Sequence, residues 1–102
     1  MSKIYKVIMN HVTTTGENEI LLKKVKGEPF SLDSSLFVRY VKGVYHLTDI
    51  ATGCELTHSS YYDVIEYWYR QYKDKLEVFR LTDSYKNKLK KFKQLEELQW
   101  KV

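Results

Sequence analysis

Residues 59–74, SSYYDVIEYWYRQYKD, place six aromatic rings in sixteen positions. They are either a stacking platform for the bases of a nucleic acid or the inside of a small domain, and the choice decides the fold. A helix advances about 100° per residue. On that wheel Val64, Trp68, Tyr61, Tyr72, Ile65, Leu76, Tyr69 and Tyr62 fall, in that angular order, on one arc of roughly 160°. Lys73, Glu66, Arg70, Asp63, Asp74 and Gln71 fill the other side. The stretch therefore reads as an amphipathic helix over about 60–74 whose rings are laid on a sheet. Tyr67 stands apart, among the polar residues.

Local chemistry agrees. Ser60 is placed to cap the helix, with Asp63 three residues on as a shortened capping box. Asp63 and Glu66 lie near the start and Arg70, Lys73 and Lys75 near the end, as the helix dipole prefers. Glu66 and Arg70 form a favourable i,i+4 pair. LEVFRL (76–81) fits a short strand or a continuation of the helix. Thr82, Asp83 and Ser84 offer caps for a final helix over about 83–99.

The first half has the period of strands. KIYKVIMNHV (3–12) carries Ile4 and Ile8 on one face and Tyr5, Val7 and Met9 on the other, which suggests a well-covered strand. TTTGEN is a turn cluster, and EILLKKVK (19–26) reads as the returning strand, with a short helix as the alternative. Gly27 to Ser35 reads as loop, Pro29 excluding a central strand there. LFVRYV (36–41) and VYHLTDI (44–50) flank Lys42–Gly43, a two-residue hairpin turn. Ala51–Thr52–Gly53 is a three-residue loop into ELTH, with Gly53 supplying a positive φ. The expectation is an α+β fold: an antiparallel β-meander of four to five strands with two α-helices, about 60–74 and 83–99, packed on one face. Residues 1–58 are mainly β and 59–102 mainly α, in a single domain. Trp68, Ile65, Val64, Tyr72, Leu89 and Phe92 are expected in the middle of the core.

Charge is distributed unevenly. The formal charge of the 102 residues is +4, and SYKNKLKKFK (84–93) carries five lysines and no acid. Without that window the chain sums to −1. Tyr85, Leu89 and Phe92 form an ordinary core stripe there, with lysines on both flanks. These lysines crowd the first half of the last helix while Glu96 and Glu97 wait near its end, against the dipole rule. Local rules are broken most often where a site needs the residues. Lysine is a point charge, and Arg39, Arg70 and Arg80 are the chain's three arginines. A nucleic-acid contact through this helix is therefore expected with backbone rather than bases.

Signals for catalysis are weak. There is no glycine-rich phosphate loop, no HExxH and no GxSxG. Cys54 and His58 lack an orienting third group. If Ile50 pairs with Cys54, His46 falls opposite His58 on one sheet face with the cysteine, and His11 is a conceivable fourth zinc ligand. No paired cysteine motif supports that construction. Neither metal nor cofactor is expected.

The chain is thus expected to be a small, basic, non-catalytic binding protein that docks on nucleic-acid backbone or on a nucleoprotein complex. Lys86, Lys88, Lys90, Lys91 and Lys93 supply the attraction, with Tyr67 and Arg70 as secondary contacts. A lone cysteine and no long apolar run point to the cytoplasm and away from a membrane. Alanine and proline each occur once, and fourteen of the seventeen cations are lysine, as in an AT-rich genome. That composition suits a phage or mobile-element inhibitor of a host nucleic-acid-handling, defence-type machine. The alternative is a protein–protein adaptor or homodimer acting through Leu95, Leu98, Trp100 and Val102, without nucleic acid.

Overall fold

The computed structural model describes residues 2–100, apart from the side chain of His11. Five strands come first: β1 (Lys3–Val12), β2 (Asn18–Pro29), β3 (Leu36–Val41), β4 (Val44–Asp49) and β5 (Glu55–Ser59). Two helices follow, α1 (Tyr62–Phe79) and α2 (Asp83–Gln99). The strands pair with their neighbours in sequence order, all antiparallel, so the sheet is a five-stranded meander. The fold is α+β.

Turn chemistry sets the register. Lys42 and Gly43 both take positive φ, at 50° and 81°, and join Val41 directly to Val44. Pro29 does not end β2 early as its ring suggests. It pairs with Phe37, and the next residue, Phe30, donates its N–H to Leu36 at 3.1 Å. In an antiparallel ladder the donors of alternate residues point to opposite edges. The missing N–H of Pro29 therefore faces away from β3, beyond the Lys3–Gly27 pair where β1 starts. No ladder bond is lost.

Both helices lie on the same face. Leu36, Val38 and Leu47 pack with Ile65 and Leu76 of α1, while Leu22 packs with Phe92 and Leu95 of α2. The pairs Ile8–Leu22, Glu28–Val38 and Val38–Leu47 place these side chains on one side of the sheet. On the reverse side, Tyr5, Val7, Val25 and Phe37 form a smaller cluster, with Tyr5 stacked on Phe37 at 4.0 Å between centroids. Gly27 makes room for that ring, since a Cβ there would come within 2.6 Å of Phe37 Cδ2.

The expected core needs correcting at two positions. Ile65 and Phe92 are buried, and Trp68 and Leu89 half-buried, but Val64 is 47% and Tyr72 41% exposed. A helix on a sheet buries the line of contact, and the flanks of its apolar arc stay wet unless another element covers them. Here α1 lies over β4 and β5 while α2 lies over β2. The Val64–Tyr72 flank has no cover. β1 is likewise covered mainly at its middle, Val7 and Ile8, with Ile4 and Met9 exposed.

The start of α1 also differs from expectation, while the cap of α2 follows it. Tyr61, not Ser60, is the N-cap of α1 and makes no side-chain cap bond; Ser59 Oγ accepts the Tyr61 N–H at 3.2 Å. LEVFRL continues the helix as far as Phe79. For α2, Thr82 is the N-cap and accepts from the Tyr85 N–H at 3.3 Å.

A buried polar network fastens the helices to the sheet. Asp49, 1% exposed, accepts from the Thr52 hydroxyl at 2.7 Å, the Tyr85 hydroxyl at 2.9 Å and Arg80 Nη2 at 3.1 Å. Arg80 Nη2 also donates to Ser35 Oγ at 2.7 Å, and Ser35 in turn donates to Asp33. Asp33 receives the Tyr69 hydroxyl at 2.8 Å. Burial first, then the Asp49 carboxylate, push the Tyr85 hydroxyl up to about 12. Burial and Asp33 do the same to Tyr69. Burial alone would raise Asp33, but hydrogen bonds from Ser35 and Tyr69 and the Arg80 charge outweigh it and hold this carboxyl below its usual value.

Candidate functional site

Lys86, Lys88, Lys90, Lys91 and Lys93 are all exposed along the first eleven residues of α2. Among the described residues none of them is paired with a carboxylate. Glu96, one turn beyond Lys93, is held by Lys6 of β1 at 2.6 Å. The helix faces its charge outward because Tyr85, Phe92 and Leu95 are its buried line. Four lysines of the β1–β2 hairpin, Lys3, Lys23, Lys24 and Lys26, are exposed as well.

Arginine is scarcer at the surface than the sequence count suggests. Arg80 is tied to Asp49 and Ser35 inside the network, and Arg39 Nε is buried. Arg70 is exposed on α1, as is Tyr67. Both secondary contact residues are accessible, but they lie on a different helix from the lysines, over a different part of the sheet.

The candidate protein surface divides. Leu95 is 6% exposed and packed against Leu22 and Phe92, which withdraws it from contact with a partner. Its place three residues after Phe92 puts it on the sheet-facing line. Leu98 is 79% exposed. Trp100 is half-buried, with the ammonium groups of Lys6 and Lys24 at 4.8 and 5.1 Å from its ring centroid. Val102 lies outside the described residues. A cleft of about 680 Å³ lies beside Leu98 and Trp100, also lined by Lys6, Gln94, Glu96 and Glu97.

On the reverse face of the sheet His46 does stand opposite His58. Cys54 does not join them. A bulge between Leu47 and Thr48 leaves Leu56 as the extra residue of β5, so Thr48 pairs with Glu55. Glu55 is thereby turned onto the histidine face, where its carboxylate meets Nδ1 of His46 and, at 3.1 Å, Nδ1 of His58. Cys54 Sγ instead contacts the Thr52 carbonyl at 3.7 Å. The cysteine–histidine pair required for nucleophilic chemistry is not assembled. Glu55 escaped the sequence reading because residues three apart on a regular strand face opposite ways.

Comparison with known proteins adds no relative. No protein family matches the chain, and neither the curated proteins nor the solved structures contain a detectable match. Among the described residues, no helix is long and apolar enough to cross a membrane.

Proposed function

We propose that this chain is a non-catalytic binding protein whose α2 docks on the phosphate backbone of a nucleic acid, free or within a nucleoprotein complex. One observation carries the reading. Five neighbouring lysines within the first eleven of the seventeen residues of α2 stand in solvent with no carboxylate partner among the described residues. Like charges three and four residues apart, as at Lys88–Lys91 and Lys86–Lys90, each cost a few tenths of a kcal/mol, and a polyanion would offset that. Backbone contact fits a helix whose exposed cations are all lysines, the three arginines lying elsewhere in the chain. A phage or mobile-element protein that obstructs a host nucleic-acid-handling machine is the biological setting this chemistry suits.

The test is binding of labelled single- and double-stranded oligonucleotides as a function of salt. For duplex, log affinity should fall against log salt with a slope of about −0.9 per phosphate neutralised. Replacing all five lysines with glutamine should abolish most of that slope while the melting temperature stays within a few degrees. An unchanged slope in the variant would end this reading. A second reading rests on Leu98 and the uncovered Val64–Tyr72 flank, whose exposure favours an adaptor or homodimer surface. That association should barely respond to salt and should weaken on Leu98→Glu.

A further inference from the structure

We infer that His46, Glu55 and His58 form a binding site for a zinc-class divalent transition-metal ion on the reverse face of the β4–β5 hairpin. The site is separate from α2 and independent of the function proposed for it.

Three observations converge. The ligand atoms of the three side chains all lie within 4.8 Å of one another. A four-coordinate zinc ion with bonds of about 2.0–2.2 Å holds its ligands about 3.3–3.5 Å apart, so small side-chain rotations admit the ion. The donor set is two imidazoles and one carboxylate, which suits zinc, cobalt and nickel better than calcium or magnesium. Lastly, the backbone is built to gather them. The bulge turns Glu55 onto the face shared by His46 and His58, and both imidazoles already aim Nδ1 at its carboxylate. In the ion-bound form each imidazole carries its proton on Nε2 and offers the Nδ1 lone pair, so the rings need not flip.

The surroundings set what such an ion would do. His46 is half-buried while Glu55 and His58 are exposed, so water completes the coordination and the ion stays reachable from solvent. The ion links β4 to β5, the edge strand from which α1 departs three residues after Ser59. Arg39, the cross-strand partner of His46, places a cation beside the site.

The experiment is a titration of chelator-treated full-length protein with Zn²⁺, and separately with Co²⁺, read by calorimetry and by cobalt absorption. One ion per chain is expected, together with a rise in melting temperature on adding zinc. His58→Ala and Glu55→Gln change exposed side chains and should melt like the parent without metal, yet bind zinc at least about tenfold more weakly. Imidazole ¹⁵N resonances of the parent give a readout that needs no variant: those of His46 and His58 should both move with zinc. No saturable micromolar binding, undiminished binding in both variants, or a response confined to His11 would overturn the assignment.

Discussion

Helices α1 and α2 are nearly equal in length, 18 and 17 residues, and both combine apolar burial with polar ties. The polar ties are spread along α2 but confined in α1 to Tyr69 and the C-cap Arg80. α1 is seated by oil: Ile65 and Leu76 are buried against Leu36, Val38 and Leu47, with Tyr62, Trp68, Tyr69 and Phe79 packed around them. α2 buries Tyr85, Phe92 and Leu95 and is tethered by polar groups along its length. Tyr85 reaches Asp49 at one end, Glu96 takes Lys6, and the Gln99 amide clasps the backbone of Leu22 at the other. The difference shows how a helix can carry five outward lysines and still be held firmly. Its apolar stripe is narrow, and hydrogen bonds with fixed geometry supply the rest.

The largest expected effect attacks the shared tether. Asp49→Ala removes the counter-charge of Arg80 and the acceptor of the buried Tyr85 hydroxyl, and chemical denaturation should show a loss of about 3–5 kcal/mol. Hydrogen exchange should show α2 amides opening before those of α1. Equal loosening of the two helices would erase the contrast between them.

Next comes the seat of α1. Ile65→Ala should destabilise by about 2–5 kcal/mol, while Val64→Ala, one residue away on the uncovered flank, should cost less than about 1 kcal/mol. Similar losses at both sites would mean that the flank is covered in solution, as a homodimer would cover it. The concentration dependence of the Val64→Ala effect separates these cases.

Alkaline pH gives the finest distinction. The Tyr85 hydroxyl is raised from 10.0 to about 12 in the folded state, so its neutral form is favoured there. Its stabilisation is complete below the unfolded value and is lost as pH climbs through 10 towards 12. Tyr85→Phe should lose about 1 kcal/mol at neutral pH and decline less steeply above pH 10. Tyr69 contributes a similar decline of its own, since it too is raised to about 12. Asp33 has the opposite sign: its lowered value contributes stability above its unfolded pKa of 3.8 that is lost as pH falls below it.

Much of the architecture was legible because period and punctuation agree. Alternating β-branched residues, Lys42–Gly43 and Gly53 mark the hairpins, and the aromatic arc marks α1. What sequence periodicity leaves open is which part of an arc meets the sheet, and so Val64 and Tyr72 were placed inside. The polar network was not legible either. Asp49 lies 31 and 36 residues from Arg80 and Tyr85, and the two charged residues look like surface residues until the fold brings them together. At the candidate metal centre the facing histidines follow from register alone. Glu55 does not, because a single extra residue in β5 inverts which side chains share a face.

The Gln99 amide has a consequence beyond holding a helix down. Its oxygen accepts the Leu22 N–H at 2.6 Å and its nitrogen donates to the Leu22 carbonyl at 2.9 Å, the two bonds an added strand would make there. Leu22 sits on the stretch of β2 that runs past the end of β3, where the ribbon would otherwise lie open to a stranger's backbone. One glutamine thus serves as a stopper. A chain clipped just before it would keep its sheet but acquire a sticky rim, and would be prone to zip onto its own copies.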